Sequence, residues 1–147
     1  MERKTIAPFS VLEERRTLAL PEVGNIAASV CSTLSTRAAA LGLTVTGPTI
    51  FVAHGLPKDP DTLFPLSFCL PVTPEAAEGT THLSSINAAC AVYEGPLSGL
   101  FAHGYQPLLA DMAEAGLTPT GESREVYHRW TGPNHDDNRI EIQFAVA

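Results

Sequence analysis

The chain has 147 residues, 44% of them hydrophobic and 17% charged, and a formal net charge of −7. This length suits one domain with a real core, and this composition excludes wholesale disorder. The negative charge argues against a nucleic-acid surface, because phosphate binding needs clustered Lys and Arg. No apolar run reaches the roughly 20 residues of a membrane helix, and nothing after Met1 has the pattern of a signal peptide.

The number and spacing of the cysteines indicate the redox state of the compartment in which the protein functions. The three cysteines, Cys31, Cys69 and Cys90, are odd in number and never spaced as C-x-x-C. We therefore predict reduced thiols in a cytoplasmic protein, with no metal site and no cofactor.

The sequence pattern of the first half of the chain predicts a strand, a helix and two further strands, in that order. A strand is predicted over Ser10–Leu20 and a helix over Val23–Leu41, because apolar residues recur there at three- and four-residue steps. Strands follow over Thr49–His54 and Leu66–Val72, separated by a polar loop, Gly55–Thr62. Pro74–Thr81 then reads as a linker.

The second half repeats this order. The pattern predicts a strand over Ser85–Glu94, a helix starting at Pro96, a strand over Arg124–Trp130, a loop over 131–138, and a strand over Ile140–Val146. Because an interior proline costs about 3 kcal/mol in a helix, Pro107 predicts a bend near Gly104–Pro107. Both helices should end at glycines, Gly42 and Gly116.

An internal duplication explains the recurrence. Gly42 and Gly116 lie 74 positions apart, and the same ungapped offset matches Ser10 with Ser84 and His54 with His128. Internal similarity of this kind is the signature of a repeat. We predict one domain, 1–147, of the α+β class, with repeats of about 8–73 and 82–147. Its antiparallel sheets should carry helices on one face and a ligand cleft on the other.

The two copies differ on the face predicted to be free. Glu125 and Tyr127 replace Phe51 and Ala53, and Glu141 and Gln143 replace Ser67 and Cys69. We predict that Glu125 and Glu141 lie on neighbouring strands of one cleft, where carboxylates beside aromatic rings would attract a cation. Candidate ligand contacts are Glu125, Glu141, Tyr127, Tyr93, Phe51, Gln143 and Trp130. The alternative is that these are ordinary exposed or core residues of a sheet, and it stays open here.

The order of motifs resembles the GyrI-like effector-binding family. The resemblance is carried by Tyr93-x-Gly95, Ala115-Gly116-Leu117, Gly121, Glu125-x-Tyr127 and the terminal Ile140–Val146 run. That family supplies drug-sensing domains to AraC- and MerR-type regulators and includes single-domain proteins. The resemblance implies a central ligand cleft with functional acids at Glu125 and Glu141 and Tyr127 beside the first. The chain departs from the family at Thr131-Gly132-Pro133, where relatives often carry Asp-Pro, and at Pro107.

Three functions are compatible with these residues. The first is a stand-alone binder of a small, apolar or cationic molecule. The second is a hydrolase that opens strained rings, with Glu125 or Glu141 as general acid or base. The third is an inhibitory protein-interaction module. Because no helix-turn-helix precedes the first repeat, we expect no operator binding. Because no apolar run is long enough for a membrane helix, we expect no membrane contact. A homodimer or a protein partner stays open.

Overall fold

The computed structural model describes residues 1–147 as an α+β protein with two α-helices and nine strands. The helices are α1 (Leu20–Ala40) and α2 (Gln106–Glu114). A 3-10 turn, Leu97–Gly99, and a π-helical turn, Phe101–Tyr105, lead into α2. The strands are β1 (Glu2–Ile6), β2 (Phe9–Leu18), β3 (Thr44–Val45), β4 (Ile50–His54), β5 (Phe64–Thr73), β6 (Thr81–Leu83), β7 (Ile86–Glu94), β8 (Pro119–Arg129) and β9 (Arg139–Val146).

The helix ends follow the predicted chemistry. Gly42 and Gly116 have φ angles of 69° and 70°, the left-handed conformation that ends a helix, which confirms both caps. The bend predicted at Gly104–Pro107 is a π-helical turn, and α2 begins only at Gln106. Pro107 thereby falls in the first turn of α2, where its missing N–H leaves no helical hydrogen bond unmade.

Three short strands, β1, β3 and β6, were not predicted. β1 pairs with β7, and β6, which includes the end of the predicted linker, pairs with β2. Both lie at edges of the sheet, and β1 is almost wholly exposed. An exposed edge strand shows no alternation of buried and free side chains, so its sequence carries no strand signal.

All strand pairs are antiparallel, and the main sheet has the order β1-β7-β9-β8-β4-β5-β2-β6, with β3 added beside β5. The 74-residue offset matches β2, β4 and β5 with β7, β8 and β9, respectively. When matched strands are treated as equivalent, the strand order is symmetric about the pair β8–β4 at its centre. This is the arrangement that a duplication predicts, and the duplication itself stays a prediction.

The core divides between the two faces of the sheet. On one face α1 covers a cluster that includes Leu12, Phe68 and Leu70, and α2 covers a cluster that includes Ile140 and Ile142. The other face is covered as well. Phe9 and Leu83, beside the connections from β1 to β2 and from β6 to β7, pack against a third cluster of Val11, Ile50, Val52, Cys69 and Val126. The face opposite the helices therefore carries a small apolar core of its own, which leaves less of that face free than the alternation of polar residues predicted.

Neither helix combines the length and the apolar character needed to cross a membrane.

Candidate ligand-binding site

Glu125 and Glu141 lie on opposite faces of the sheet. Glu125 stands opposite Ile142 and Phe51, whereas Glu141 stands opposite Val126 and Val92. Residues directly opposite each other in an antiparallel pair share a face. Glu125 is thus on the face that carries the helices, and the expectation that the two carboxylates share one cleft is wrong. Alternation along one strand shows which of its residues share a face. It does not show which face of the sheet that is, because this depends on the register with the next strand.

Two tyrosine hydroxyls hold the Glu125 carboxylate. The Tyr105 hydroxyl donates to Oε2, and the Tyr127 hydroxyl donates to Oε1 at 2.6 Å. Tyr127 comes from β8 itself, and Tyr105 comes from the π-helical turn. Burial, followed by the charge of Glu125, raises the pKa of both phenols well above the ordinary value. Both hydroxyls are therefore protonated donors at neutral pH.

Aromatic rings surround this carboxylate. The Phe51 ring lies 4.7 Å from those of Phe68 and Tyr127, and Trp130 meets Tyr127 edge-on at 5.7 Å. On the other side, Tyr105 contacts the rings of two phenylalanines at 5.8 and 6.5 Å. We call this group the aromatic–carboxylate cluster; its members are Phe51, Phe101, Tyr105, Glu125, Tyr127, Trp130 and Phe144.

The cluster lies where the cores of α1 and α2 meet and reaches the surface at two rings. Phe51 packs against the core covered by α1, and Tyr127, whose ring contacts Phe51, packs against the core covered by α2. Phe101 is 62% exposed and Trp130 is 47% exposed, although both are large apolar residues. These two rings are accessible to a ligand, whereas Tyr105 and Phe144 are buried.

The predicted contact Tyr93 is a core residue. It lies opposite Ile140, on the helix-bearing face, and is buried within the cluster covered by α2. Its hydroxyl donates to the Pro96 carbonyl at 2.6 Å. The expectation that alternation places Tyr93 off the apolar face is therefore wrong.

Glu141 belongs to an ion-pair network on the opposite face. Its Oε2 accepts from Lys4 at 2.8 Å and from Gln143 at 2.7 Å, and its Oε1 lies 2.8 Å from His128 Nε2. Burial opposes ionisation, but these hydrogen bonds prevail and lower the pKa of Glu141 to about 2. Glu141 and Gln143 are thus engaged in fastening β1 to the sheet, away from Glu125.

The observed site therefore lacks some of the predicted residues and contains others that were not predicted. The structure brings together Glu125, Tyr127, Phe51 and Trp130, and it excludes Glu141, Gln143 and Tyr93. It adds three residues that the predicted set lacks, Phe101, Tyr105 and Phe144. Phe101 and Tyr105 are four positions apart in the predicted helix, a spacing that places two rings on one helical face, and this signal could have identified them. No group of His, Cys, Asp and Glu side chains has the arrangement of a metal site.

Solved structures share this architecture across the whole chain. The C-terminal domain of EcmrR matches with a TM-score of 0.78 at 20% identity, over 99% of this chain and 96% of that one. EcmrR in a DNA complex matches with a TM-score of 0.80 at 21% identity, and this chain spans 56% of its length. SAV2435 bound to tetraphenylphosphonium matches with a TM-score of 0.61 at 11% identity, over 99% of this chain and 93% of that one. No family model and no curated protein matches the sequence.

These matches decide the fold. The chain has the GyrI-like effector-binding fold. At these identities the likeness concerns the fold alone. In this GyrI-like fold, the aromatic–carboxylate cluster lies on the helix-bearing face of the sheet, with Glu125 on β8 as its one acidic group.

Proposed function

We propose that this chain binds lipophilic organic cations at the aromatic–carboxylate cluster. The observation that carries the proposal is the uncompensated charge of Glu125. Its hydrogen-bond partners are two neutral phenols, and none of the ion pairs in the protein includes it. Glu141, in contrast, has Lys4 as a counter-ion.

A carboxylate that is partly removed from water without a counter-ion raises the free energy of the folded protein. A cation entering the site would offset that cost, and the faces of Phe51, Tyr127 and Trp130 would add cation–π attraction. A lipophilic cation suits this surrounding because it is weakly hydrated and presents large apolar area to the rings. The tetraphenylphosphonium bound to SAV2435, a protein of the same fold, supports this class of ligand.

Two further expectations belong to this proposal. Residues 1–147 act as one binding domain, since the cluster takes residues from both halves of the chain. The three cysteines are free, which supports a reducing, cytoplasmic location.

The test is a calorimetric titration with tetraphenylphosphonium and with tetraphenylborate, an anion of the same shape. The parent protein should bind the cation and not the anion. Glu125→Gln keeps the shape and removes the charge, so it should weaken cation binding by about 10-fold or more. Glu141→Gln is the matched control on the opposite face and should change the affinity by less than about 2-fold. Equal binding of the cation by the parent and by Glu125→Gln would refute the proposal.

A further inference from the structure

One buried side chain organises the loop between β8 and β9. Asn138 is fully buried; its Oδ1 accepts from the Thr131 amide at 2.8 Å, and its Nδ2 donates to the Gly132 carbonyl at 2.6 Å. A buried amide that is satisfied on both sides in this way holds a loop in one conformation. Trp130 directly precedes Thr131, so these hydrogen bonds also fix the backbone next to the exposed Trp130 ring.

The same loop fixes the other side of the cluster. The Asn138 carbonyl accepts from the Gly95 amide at 3.1 Å, and the Pro133 carbonyl accepts from the Leu97 amide at 2.8 Å. Leu97 opens the 3-10 turn that leads into the π-helical turn with Phe101 and Tyr105. One loop thus joins the segment that carries Trp130 to the segment that carries Phe101, and both segments converge on Glu125.

The corresponding loop in the first half is built differently. There Asp59 accepts hydrogen bonds from the amides of Asp61 and Thr62, within its own loop. The hydrogen bonds that join this loop to both sides of the cluster are therefore specific to the second half, the half that also carries Glu125.

From these contacts we propose that Asn138 is a positioning residue that sets the distance between the Trp130 and Phe101 sides of the cluster. It thereby selects organic cations broad enough to touch both sides. The inference rests on the proposed cation binding and names the feature that decides ligand size. Asn138 touches no ligand itself and acts through Thr131, Gly132 and the turn at Gly95.

The experiment compares a broad and a compact cation, tetraphenylphosphonium and tetraethylammonium, in the parent, Asn138→Ala and Asn87→Ala. Asn87 is the control, because its exposed side chain bonds Thr5 of the edge strand β1 and takes no part in the loop between β8 and β9. Asn138→Ala should weaken tetraphenylphosphonium binding about 10-fold, the size expected when buried hydrogen bonds are lost, and should change tetraethylammonium binding less than about 2-fold. Equal losses for both cations, or no loss, would overturn the proposal.

A second readout needs no ligand. Trp130 is the one tryptophan in the chain, so its fluorescence reports on this loop alone. Quenching by acrylamide should increase in Asn138→Ala and stay at the parent level in Asn87→Ala; unchanged quenching in Asn138→Ala would overturn the proposal. If the parent binds neither cation, the proposed function fails, while the quenching still decides whether Asn138 positions Trp130.

Should Asn138→Ala fail to fold, Asn138→Asp takes its place. Aspartate keeps the acceptor for Thr131 and loses the donor to Gly132. It should therefore shift the quenching and the ratio of the two affinities in the same direction by a smaller amount. Parent values in a folded Asn138→Asp protein would count against the positioning role.

Discussion

Phe51 and Glu125 stand directly opposite each other on β4 and β8, and they are also the two residues that the 74-residue offset matches. The centre of the sheet therefore lies at a pair that is equivalent in sequence and different in chemistry. On one side is an aromatic ring, and on the other is the charged group of the cluster. At the proposed cation site, the first half of the chain contributes the aromatic ring of this pair and the second half contributes the carboxylate.

Making this pair symmetric should destabilise the protein. In Phe51→Glu, two carboxylates would face each other on neighbouring strands, where like charges repel. We expect the free energy of unfolding at pH 7 to fall by about 1 kcal/mol or more beyond the loss in Phe51→Leu, which removes the ring without adding charge. Urea unfolding measures both variants. The gap should narrow at high salt, which screens the repulsion between the carboxylates, and a gap independent of salt would contradict the explanation.

The ion pair between Lys4 and Glu141 should make stability depend on pH. The pKa of Glu141 is lowered from 4.5 to about 2, so its contribution is present above pH 4.5 and is lost as pH falls toward 2. The hydrogen bond to Glu141 raises the pKa of Lys4, so the contribution of Lys4 is present below 10.5 and is lost at still higher pH.

Lys4→Met should therefore lower the free energy of unfolding by about 1 kcal/mol at pH 7, since Lys4 is partly exposed, and its difference from the parent should shrink between pH 4.5 and pH 2. Arg3→Met is the control, because Arg3 is exposed and forms no ion pair. Denaturant unfolding across this pH range measures the difference. A Lys4→Met deficit of the same size at pH 2 would argue against the Glu141 pair.

Two glycines in helical segments should respond oppositely to alanine. A Cβ on Gly104 would lie 2.8 Å from the Ile142 Cδ1, and one on Gly24 would meet nothing within 4 Å. Gly104→Ala should cost about 1–3 kcal/mol through overpacking of the core of α2. Gly24→Ala should gain about 0.5–1 kcal/mol from helix propensity. Thermal unfolding of the two variants should shift in opposite directions, and a stabilised Gly104→Ala would show that the core can yield there.

The cysteines should differ in reactivity. Burial raises the pKa of Cys69 to about 12 and that of Cys90 to about 11, so neither forms much thiolate at pH 8. Cys31 is only half buried, although burial raises its pKa too. A disulfide reagent at pH 8 should modify Cys31 first and the other two only when the protein unfolds. Cys31→Ser should abolish the early phase, and three equal phases in the native protein would contradict this order.

The sequence predicted the elements better than it predicted the site. Periodicity and the glycines at 42 and 116 identified both helices, because these signals are local. The face on which each side chain lies depends on the register between β8 and β9. That register contains irregularities that the sequence of one strand alone does not predict. Lys4 became the partner of Glu141 only because the exposed β1 pairs with β7, which lies beside β9 in the sheet. Polar residues on alternating positions therefore identified Glu125 and Tyr127 correctly as neighbours, and placed Glu141 wrongly beside them.

The exchange of edge strands makes the two halves mutually dependent. β1 precedes the first half yet completes the sheet of the second, and β6 precedes the second half yet completes the sheet of the first. Cutting the chain near Thr80 would leave each fragment without its own border strand and with a bare row of backbone donors and acceptors. Such fragments should be soluble and ordered only when mixed, and the intact chain should lose both halves in one cooperative transition.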